Sequence, residues 1–312
     1  MTSIVLEPYG KDHEAGLRQQ LDAAGILNRQ DGVGYFWRQL IDEPYRRNSA
    51  VIVARQGEMI VGIGVVMCRA YGRPEGRCSM IIVFEDWRRQ GIGTRLKEAA
   101  DRHMAEAGMP LHYAMLYEGQ EDALPFLEAT GFREVCKDIV IAWNGGDYSY
   151  TPVEGVHCRE YRGGDPVLNA KIAEFQNKAF VRETMVPHLT ADSIEGILSG
   201  DGHWMMVAVE VATDEVVGVT ECTDNALFPS ISVARRYWAK GLAEWIGGLS
   251  LDRYIAAGID KPWTIARPEN RASIAYLKRM NWHPVSHSIT YASPTGAAPA
   301  DASVSEPATE RN

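Results

Sequence analysis

Residues 83–94 have the sequence Val83-Phe84-Glu85-Asp86-Trp87-Arg88-Arg89-Gln90-Gly91-Ile92-Gly93-Thr94. The apolar run Met80–Phe84 is typical of a β-strand, and from Ile92 onward apolar residues recur at helical spacing. Two glycines therefore lie where a strand passes into a helix, and they allow backbone N–H groups to approach a ligand. The first N–H groups of a helix lack partners and carry the positive end of its dipole. The turn therefore predicts a phosphate-binding site.

The length and composition favour two domains. The chain has 312 residues, of which 46% are hydrophobic, so it can bury two cores. No apolar run reaches membrane-spanning length, and the N-terminus has no basic region followed by an apolar block. The five cysteines are scattered, which is typical of reduced thiols. We therefore expect a cytoplasmic protein that does not bind a membrane.

The charge and the histidines argue against two other classes of site. A net charge of −9 excludes nucleic acid as the main partner. The cysteines lack metal-ligand spacing, and His157 and Cys158 have no further ligand nearby, so we expect no metal. His112 and His203 lie in apolar runs and are interpreted as core residues with hydrogen-bond partners.

The order of predicted elements occurs twice. Gly91 and Gly241 are 150 residues apart (241 − 91), and so are Gly131 and Asn281 (281 − 131). A shared offset at both ends of a motif indicates an internal repeat. We therefore predict an N-terminal domain over 1–147, a linker over 148–154, a C-terminal domain over 155–292 and a disordered tail over 293–312.

Each half is predicted to begin with a strand and helices, followed by a hairpin, a strand and the glycine turn. In the first half, 31–42 is predicted as an aromatic helix that begins at Asp31 and contains Trp37. In the second half, Thr190 is predicted to cap a helix that ends at Leu198.

The glycine turn has the pattern Arg-x-x-Gly-x-Gly, from Arg88 to Gly93. It lacks the third glycine of the dinucleotide fingerprint and the Gly-Lys-Ser/Thr of a P-loop. With its flanking strand, its helix and a second copy, it resembles the pyrophosphate loop of the GNAT acyltransferase superfamily. A turn whose glycines serve only packing is the alternative. The resemblance implies an α/β (α+β) fold of two tandem GNAT-like domains, similar to mycothiol synthase, each a mixed, mostly antiparallel sheet flanked by helices.

The same resemblance implies acetyl-CoA as the acyl donor, held by backbone amides in both halves. The first turn keeps the family pattern, whereas the second has Trp238 in place of the leading Arg. The residues that the resemblance assigns to CoA are Val83, Arg88, Arg89, Gln90, Gly91, Ile92, Gly93, Thr94, Val233, Trp238, Ala239, Lys240, Gly241, Leu242, Ala243 and Asn270.

Two catalytic candidates lie in the second half. The run that ends in Thr220-Glu221 resembles the Gly-x-Thr-Glu segment of mycothiol synthase, which makes Glu221 the candidate general base; a strand-end carboxylate in solvent is the alternative. The family tyrosine, the general acid, is replaced by Leu127 and Leu277. Tyr276 is one residue away, so it is a candidate acid or a core residue, and Tyr117 is a comparable candidate in the first half.

These residues imply an acyl-CoA-dependent N-acyltransferase that acts on the amine of a small molecule through a ternary complex. Catalysis is expected in the second half, with CoA bound firmly by the first. The alternatives are a non-catalytic acyl-CoA-binding or interaction protein, and a protein-lysine or N-terminal acetyltransferase. Homodimer formation is compatible with the sequence.

Overall fold

The computed structural model describes residues 3–28, 37, 50–66, 76–179, 189–199, 202–224 and 230–296. The chain forms two compact units. Unit 1 consists of Met1–Cys136 with Ile289–Asn312, and unit 2 consists of Lys137–Ser288. Across these described ranges, no helix is both long enough and apolar enough to span a bilayer.

Unit 1 is a mixed sheet with a helix on each face. Its elements are β1 Ile4–Pro8, α1 Glu14–Ala23, β2 Ala50–Gln56, β3 Met59–Val66, β4 Gly76–Val83, α2 Ile92–Glu106, β5 Leu111–Tyr117, α3 Leu124–Ala129, the start of β6 Arg133–Trp143 and the end of β12 Trp282–Pro294. Strands β1 to β4 pair antiparallel in chain order, β4 and β5 pair parallel, and β12 lies beside β5.

The two faces of β3 supply two cores in unit 1, and a register shift in its pairing with β2 puts Val61 and Val65 on opposite faces although they are four residues apart. Val65 packs in one cluster with Leu17 and Leu21 of α1. Val61 packs on the opposite face with Ile92 and Leu96 of α2. The helix that follows the glycine turn is therefore fixed to the sheet by its apolar stripe.

A buried polar chain joins α2 to β4 and β5. Asp101 on α2 accepts hydrogen bonds from His112 Nδ1 at 2.6 Å and from Lys97 Nζ at 2.7 Å. A carboxylate can only accept, so Nδ1 carries the proton, and His112 Nε2 accepts from the Ser79 hydroxyl. His112 is a paired core residue, as predicted.

Unit 2 repeats this order of elements. They are the end of β6, β7 Val156–Tyr161, α4 Pro166–Ala179, α5 Ala191–Leu198, β8 His203–Glu210, β9 Glu215–Thr223, β10 Ser230–Val233, α6 Leu242–Ala256, β11 Trp263–Ala266, α7 Arg271–Arg279 and the start of β12. Strands β7 to β10 form an antiparallel sheet, and β11 pairs antiparallel with β6. Thr190 Oγ1 accepts from Ser193 N at 3.1 Å and caps α5 as predicted.

The two faces of the unit 2 sheet carry separate cores. Val219 packs with Ile172 of α4 and Ile194 of α5. Ala208 packs on the opposite face with Leu242 and Ile246 of α6. The segment predicted as a linker is anchored there, because the Tyr148 and Tyr150 hydroxyls both donate to Asp252 of α6.

The last strand of each half is divided between the units. β6 begins in unit 1 and ends in unit 2, and β12 does the reverse. Consequently Ile289 and Tyr291 of β12 pack with Leu127 and Phe132 in unit 1. The boundaries 1–147, 148–154 and 155–292 stay a prediction for the folding domains, and β12 extends through Ser293 and Pro294 into the predicted tail.

Two predicted segments fall largely outside the described residues. Of the helix over 31–42, the structure describes Trp37, which is helical and fully buried. Of the tail over 293–312, it describes residues up to 296.

Candidate active site

The two glycine turns have the same backbone. A 3-10 turn over Glu85–Trp87 leads into α2, and one over Arg235–Tyr237 leads into α6. Arg89 has φ 61° and Gly91 φ 75°, while Ala239 has φ 58° and Gly241 φ 82°. Positive φ at the same two positions (239 − 89 = 241 − 91 = 150) means that the halves share one loop conformation despite different side chains.

Arg88 and Trp238 hold this conformation in the same way. Arg88 Nε donates to the Val83 carbonyl at 3.2 Å, and Trp238 Nε1 donates to the Val233 carbonyl at 3.1 Å. Both acceptors are the last residues of their strands. The tryptophan that departs from the family pattern therefore replaces the structural bond of the arginine, and its indole remains 60% exposed.

Both turns present free backbone donors. Among the described residues, the N–H groups from Arg89 through Thr94 have no hydrogen-bond acceptor, and the next one, of Arg95, bonds to Gly91 O at 3.1 Å. In the second turn Lys240 N bonds to Tyr237 O at 3.1 Å, which leaves Ala239 and the run from Gly241 to Glu244 unpaired within the described chain. A Cβ at Gly91 or Gly241 would meet nothing within 4 Å. Both turns therefore fit a pyrophosphate group.

The third residue of each helix distinguishes the two turns. Thr94 occupies this place in α2 and Glu244 in α6 (244 − 94 = 150). Glu244 Oε1 accepts from Arg279 Nη2 of α7 at 2.6 Å and from its Nε at 3.1 Å. A carboxylate in the first turn of a helix adds negative charge where a phosphate would bind, so we expect the second turn to bind an anion more weakly.

A gap opens beside each turn. β4 and β5 pair only from Gly76↔Leu111 to Cys78↔Tyr113. In the described part of unit 2, β10 and β11 do not pair at all, because they are in different sheets. A gap between the strand before the turn and the strand after its helix is where the family resemblance implies the pantetheine arm.

Glu221 lies one strand from the unit 2 gap. It is directly opposite Ser230 of β10 and Met205 of β8, on the sheet face that carries α4 and α5. Within the described chain its carboxylate has no hydrogen-bond or ion-pair partner, and burial raises its pKa to about 7. A half-buried, unpaired carboxylate with a pKa near neutrality has the properties of a general base.

Tyr276 projects from α7 toward α6 and β10. A Cβ at Gly247 of α6 would lie 1.9 Å from the Tyr276 hydroxyl and 3.7 Å from Ile231 of β10. The missing side chain at Gly247 therefore makes room for the phenol beside the gap. Burial raises the pKa of Tyr276 well above its usual range, so its hydroxyl stays protonated. No hydrogen bond to this hydroxyl occurs among the described residues.

Asn270 acts as a helix cap. Its Oδ1 accepts from Ser273 N at 3.1 Å at the start of α7. In the first half Gln120 instead accepts from Tyr117 N at 2.9 Å through Oε1. Asn281, at the place of Gly131, has φ 60°, a left-handed conformation that Asn tolerates.

The sheet face that carries Glu221 differs most between the units. Ser230 corresponds to Met80 and Ser232 to Ile82 (230 − 80 = 232 − 82 = 150). Because Met80 pairs with Val65 as Ser230 pairs with Glu221, Val65 corresponds to Glu221. Where unit 2 has a carboxylate and two hydroxyls, unit 1 has three apolar side chains in its α1 core.

Several of these residues were missing from the sequence prediction. His203 was interpreted as a partnered core residue, but its buried Nδ1 has no hydrogen-bond partner among the residues that the structure describes. The repeat offset of 150 residues could have identified Glu244, Ser230 and Ser232 from the sequence. The contact between Arg279 and Glu244 can be recognised only from the fold. Over the described ranges, His, Cys, Asp and Glu side chains do not form a group of three or more that could hold a metal ion.

Comparison with known proteins identifies the fold. Residues 47–134 match the family described as acetyltransferase (GNAT) domain. A tandem GNAT protein from the clavulanic acid biosynthesis pathway is 15% identical over 95% of this chain and 100% of that chain, with a TM-score of 0.72. A GCN5-related N-acetyltransferase from Sphaerobacter thermophilus is 16% identical over 94% and 96%, with a TM-score of 0.67. The sequence matches none of the curated proteins. Residues 47–134 therefore match an acetyltransferase (GNAT) domain, and the chain has the fold of tandem GNAT proteins.

Proposed function

We propose that the protein transfers an acyl group, acetyl in the simplest case, from acyl-CoA to the amine of a small molecule, and that unit 2 carries the chemistry. The observation that supports this most is Glu221, a carboxylate without a partner among the described residues and with a pKa of about 7. A structural carboxylate is ordinarily paired or exposed, so an unpaired one a single strand from the gap is best explained by a proton that it must accept.

Each residue then has one task. Glu221 takes a proton from the acceptor ammonium, directly or through water, and the freed nitrogen adds to the thioester carbonyl. Backbone N–H groups at the gap stabilise the charge that develops on the carbonyl oxygen. As the C–S bond breaks and the C–N bond is complete, the nitrogen releases its second proton to solvent, the Tyr276 hydroxyl donates a proton to the leaving thiolate, and solvent restores the proton of Tyr276. Tyr276 is the proposed acid because its hydroxyl is protonated and lies against β10.

Unit 1 is proposed to bind CoA without catalysis. Its turn has the free donors without a competing carboxylate, but its equivalent sheet face is apolar and offers no base. Val83 and the residues from Arg88 to Thr94 would hold the pyrophosphate there. The equivalent set in unit 2, with Asn270 at the start of α7, would hold the donor that reacts.

The test is thiol release from acetyl-CoA in the presence of a panel of small amines, combined with calorimetric titration of acetyl-CoA. Amine-dependent thiol release supports the transferase. The rival, a non-catalytic acyl-CoA-binding protein, is favoured by Glu244 at the N-terminus of α6. Binding of acetyl-CoA without turnover of any amine would establish that rival and overturn the proposal.

A further inference from the structure

We propose that the face of unit 2 around Glu221 is an acceptor pocket for a compact amine that carries hydroxyl groups, such as an amino alcohol or amino sugar, recognised by Ser232 and His203. This inference deepens the proposed function and rests on it. It excludes alkylamines and lysine side chains as the preferred acceptors.

The first step is the placement of the polar side chains. Three strands contribute to the α4–α5 face of the sheet: β8 with His203, β9 with Glu221 and β10 with Ser230 and Ser232. His203 is opposite Thr223, two residues along β9 from Glu221. Since residues opposite each other or two apart along a strand share a face, these side chains form one polar patch. The same face also carries Thr223 and the apolar Val207 and Val219, and the buried residues of α4 that pack on it include Ile172 and Gln176.

The second step is the lack of partners. Ser232 is 7% exposed, and within the part of the chain that the structure describes its Oγ has no hydrogen-bond partner. The buried Nδ1 of His203 also has none among these residues. Burial lowers the pKa of His203, so the ring is neutral and can either donate or accept. Buried polar atoms are almost always paired in folded proteins. Two unpaired atoms on one patch with an unpaired carboxylate indicate that a ligand completes the bonding.

The third step is that the fold does not require these groups. In unit 1 the same sheet positions hold Ile82 for Ser232 and Met80 for Ser230, and the sheet forms there with apolar side chains. The two serines are therefore specific to the unit that carries the base.

The spacing limits the size of the acceptor. Adjacent strands are about 4.8 Å apart, and residues two apart on a strand are separated by about 6.8 Å. Ser232 and His203 are diagonal neighbours of Glu221 on opposite sides of it, each roughly 7–8 Å away. If Glu221 holds the ammonium, they meet hydroxyl groups that extend to either side of the nitrogen, as in an amino alcohol or amino sugar, whereas the chain of a lysine carries nothing polar there.

The experiment compares acceptors of similar size with and without hydroxyls. Serinol and glucosamine are tested against propylamine, cyclohexylamine and Nα-acetyl-lysine methyl ester by thiol release from acetyl-CoA. We expect kcat/KM to be at least about 10-fold higher for the hydroxylated amines. We expect Ser232→Ala to raise their KM by about 10-fold with little change for propylamine, and Ser232→Thr to restore much of the difference.

Ser250→Ala is the matched control. Ser250 is a fully buried serine on the opposite face, where its hydroxyl bonds to Ile246 O at 2.9 Å, so its loss can lower stability without changing acceptor preference. Equal or better turnover of the alkylamines, or unchanged selectivity in Ser232→Ala, would overturn the inference. If no amine releases thiol, the proposed function fails, and the pocket is judged by thermal shift. The inferred acceptor pocket is then also overturned unless serinol or glucosamine raises the Tm of the protein more than propylamine does.

Discussion

The two units present the same loop to a phosphate and different sheet faces to an acceptor. In the turns, Arg88 and Trp238 have little in common as side chains, yet both bond to the carbonyl that ends the preceding strand. On the sheet, Val65 and Glu221 have the same register and opposite chemistry. The backbone conformation was thus retained while the side chains changed, because backbone amides bind the phosphate and side chains determine the reaction.

The largest expected effect is on the base that only unit 2 has. Glu221→Gln should lower kcat/KM by roughly 10²–10⁴-fold, the usual contribution of a general base. With the wild type, activity should rise as pH passes through about 7, because the carboxyl must lose its proton. This rise should vanish in the variant.

The matched control for this substitution is Glu215→Gln, an exposed carboxylate on the same strand. A folded-state pKa that is raised means that the stability contributed by Glu221 is lost as pH increases. Glu221→Gln should therefore have a higher Tm than the wild type at pH 8. Unchanged activity, or a loss equal to that of Glu215→Gln, would remove Glu221 from the reaction.

The second comparison concerns the buried charge cluster on α2 of unit 1, whose positions on α6 of unit 2 are uncharged. In unit 1 Asp101 of α2 forms ion pairs with Lys97 and His112. In unit 2 the position of Asp101 is Leu251 and the position of Lys97 is Gly247 (251 − 101 = 247 − 97 = 150). Asp101→Ala leaves buried donors unpaired and should cost roughly 3–5 kcal/mol in the free energy of unfolding of unit 1. Denaturant unfolding measures this, with the exposed Asp122→Ala as control. A loss below about 1 kcal/mol would mean that the ion pairs of Asp101 contribute no more to stability than a surface pair does.

A reciprocal exchange tests the difference between the turns. Thr94→Glu should weaken acetyl-CoA binding to unit 1 by about 10- to 100-fold, through repulsion between the carboxylate and the pyrophosphate. Glu244→Thr should strengthen binding to unit 2 by a similar factor, since it also frees Arg279. Calorimetry at low salt gives both values. Two sites of equal affinity in the wild type would contradict the assignment.

The buried His112 should make the stability of unit 1 depend on pH. Burial lowers the pKa of His112. The unfolded chain therefore takes up a proton below about pH 6.5 that the folded unit does not, and stability falls as the pH is lowered. Each pH unit in that range should cost up to about 1.4 kcal/mol. Urea unfolding at pH 7.5 and 5.5 checks this, and His112→Phe should flatten the dependence.

The smallest effect should come from the residue that departs most visibly from the family pattern. Trp238→Arg keeps a donor for the Val233 carbonyl, so acetyl-CoA affinity should change by less than about 5-fold, in the range of one surface contact. Trp238→Ala removes the hydrogen-bond donor and should lower acetyl-CoA affinity more than Trp238→Arg does. If the alanine variant binds like the wild type, the bond from the indole does not shape the turn.

Local features of the sequence were sufficient to predict the elements and both turns. Glycine at positive φ, a helix cap such as Thr190 and apolar periodicity act within a few residues. The predicted strand that starts at Met80 was too short at its N-terminal end, because β4 starts at Gly76, a residue that suggests a break in a strand. In the fold a Cβ there would lie 2.4 Å from the Leu111 carbonyl oxygen, so glycine allows β5 to approach. The pair of Glu244 with Arg279, and the lack of a described partner for His203 Nδ1, could not be predicted, because they depend on neighbours that only tertiary structure provides.

The division of β6 and β12 between the units bears on how such a repeat evolves. Unit 1 needs Ile289 and Tyr291 to cover Leu127 and Phe132, and unit 2 needs Ile141 and Trp143 in its own core. If the gene were divided between codons 147 and 155, the first product would lack the end of β12 that unit 1 needs. The second product would lack the end of β6 that unit 2 needs. Once a duplicated ancestor had exchanged these strands, its copies could diverge in chemistry but could no longer part as separate genes.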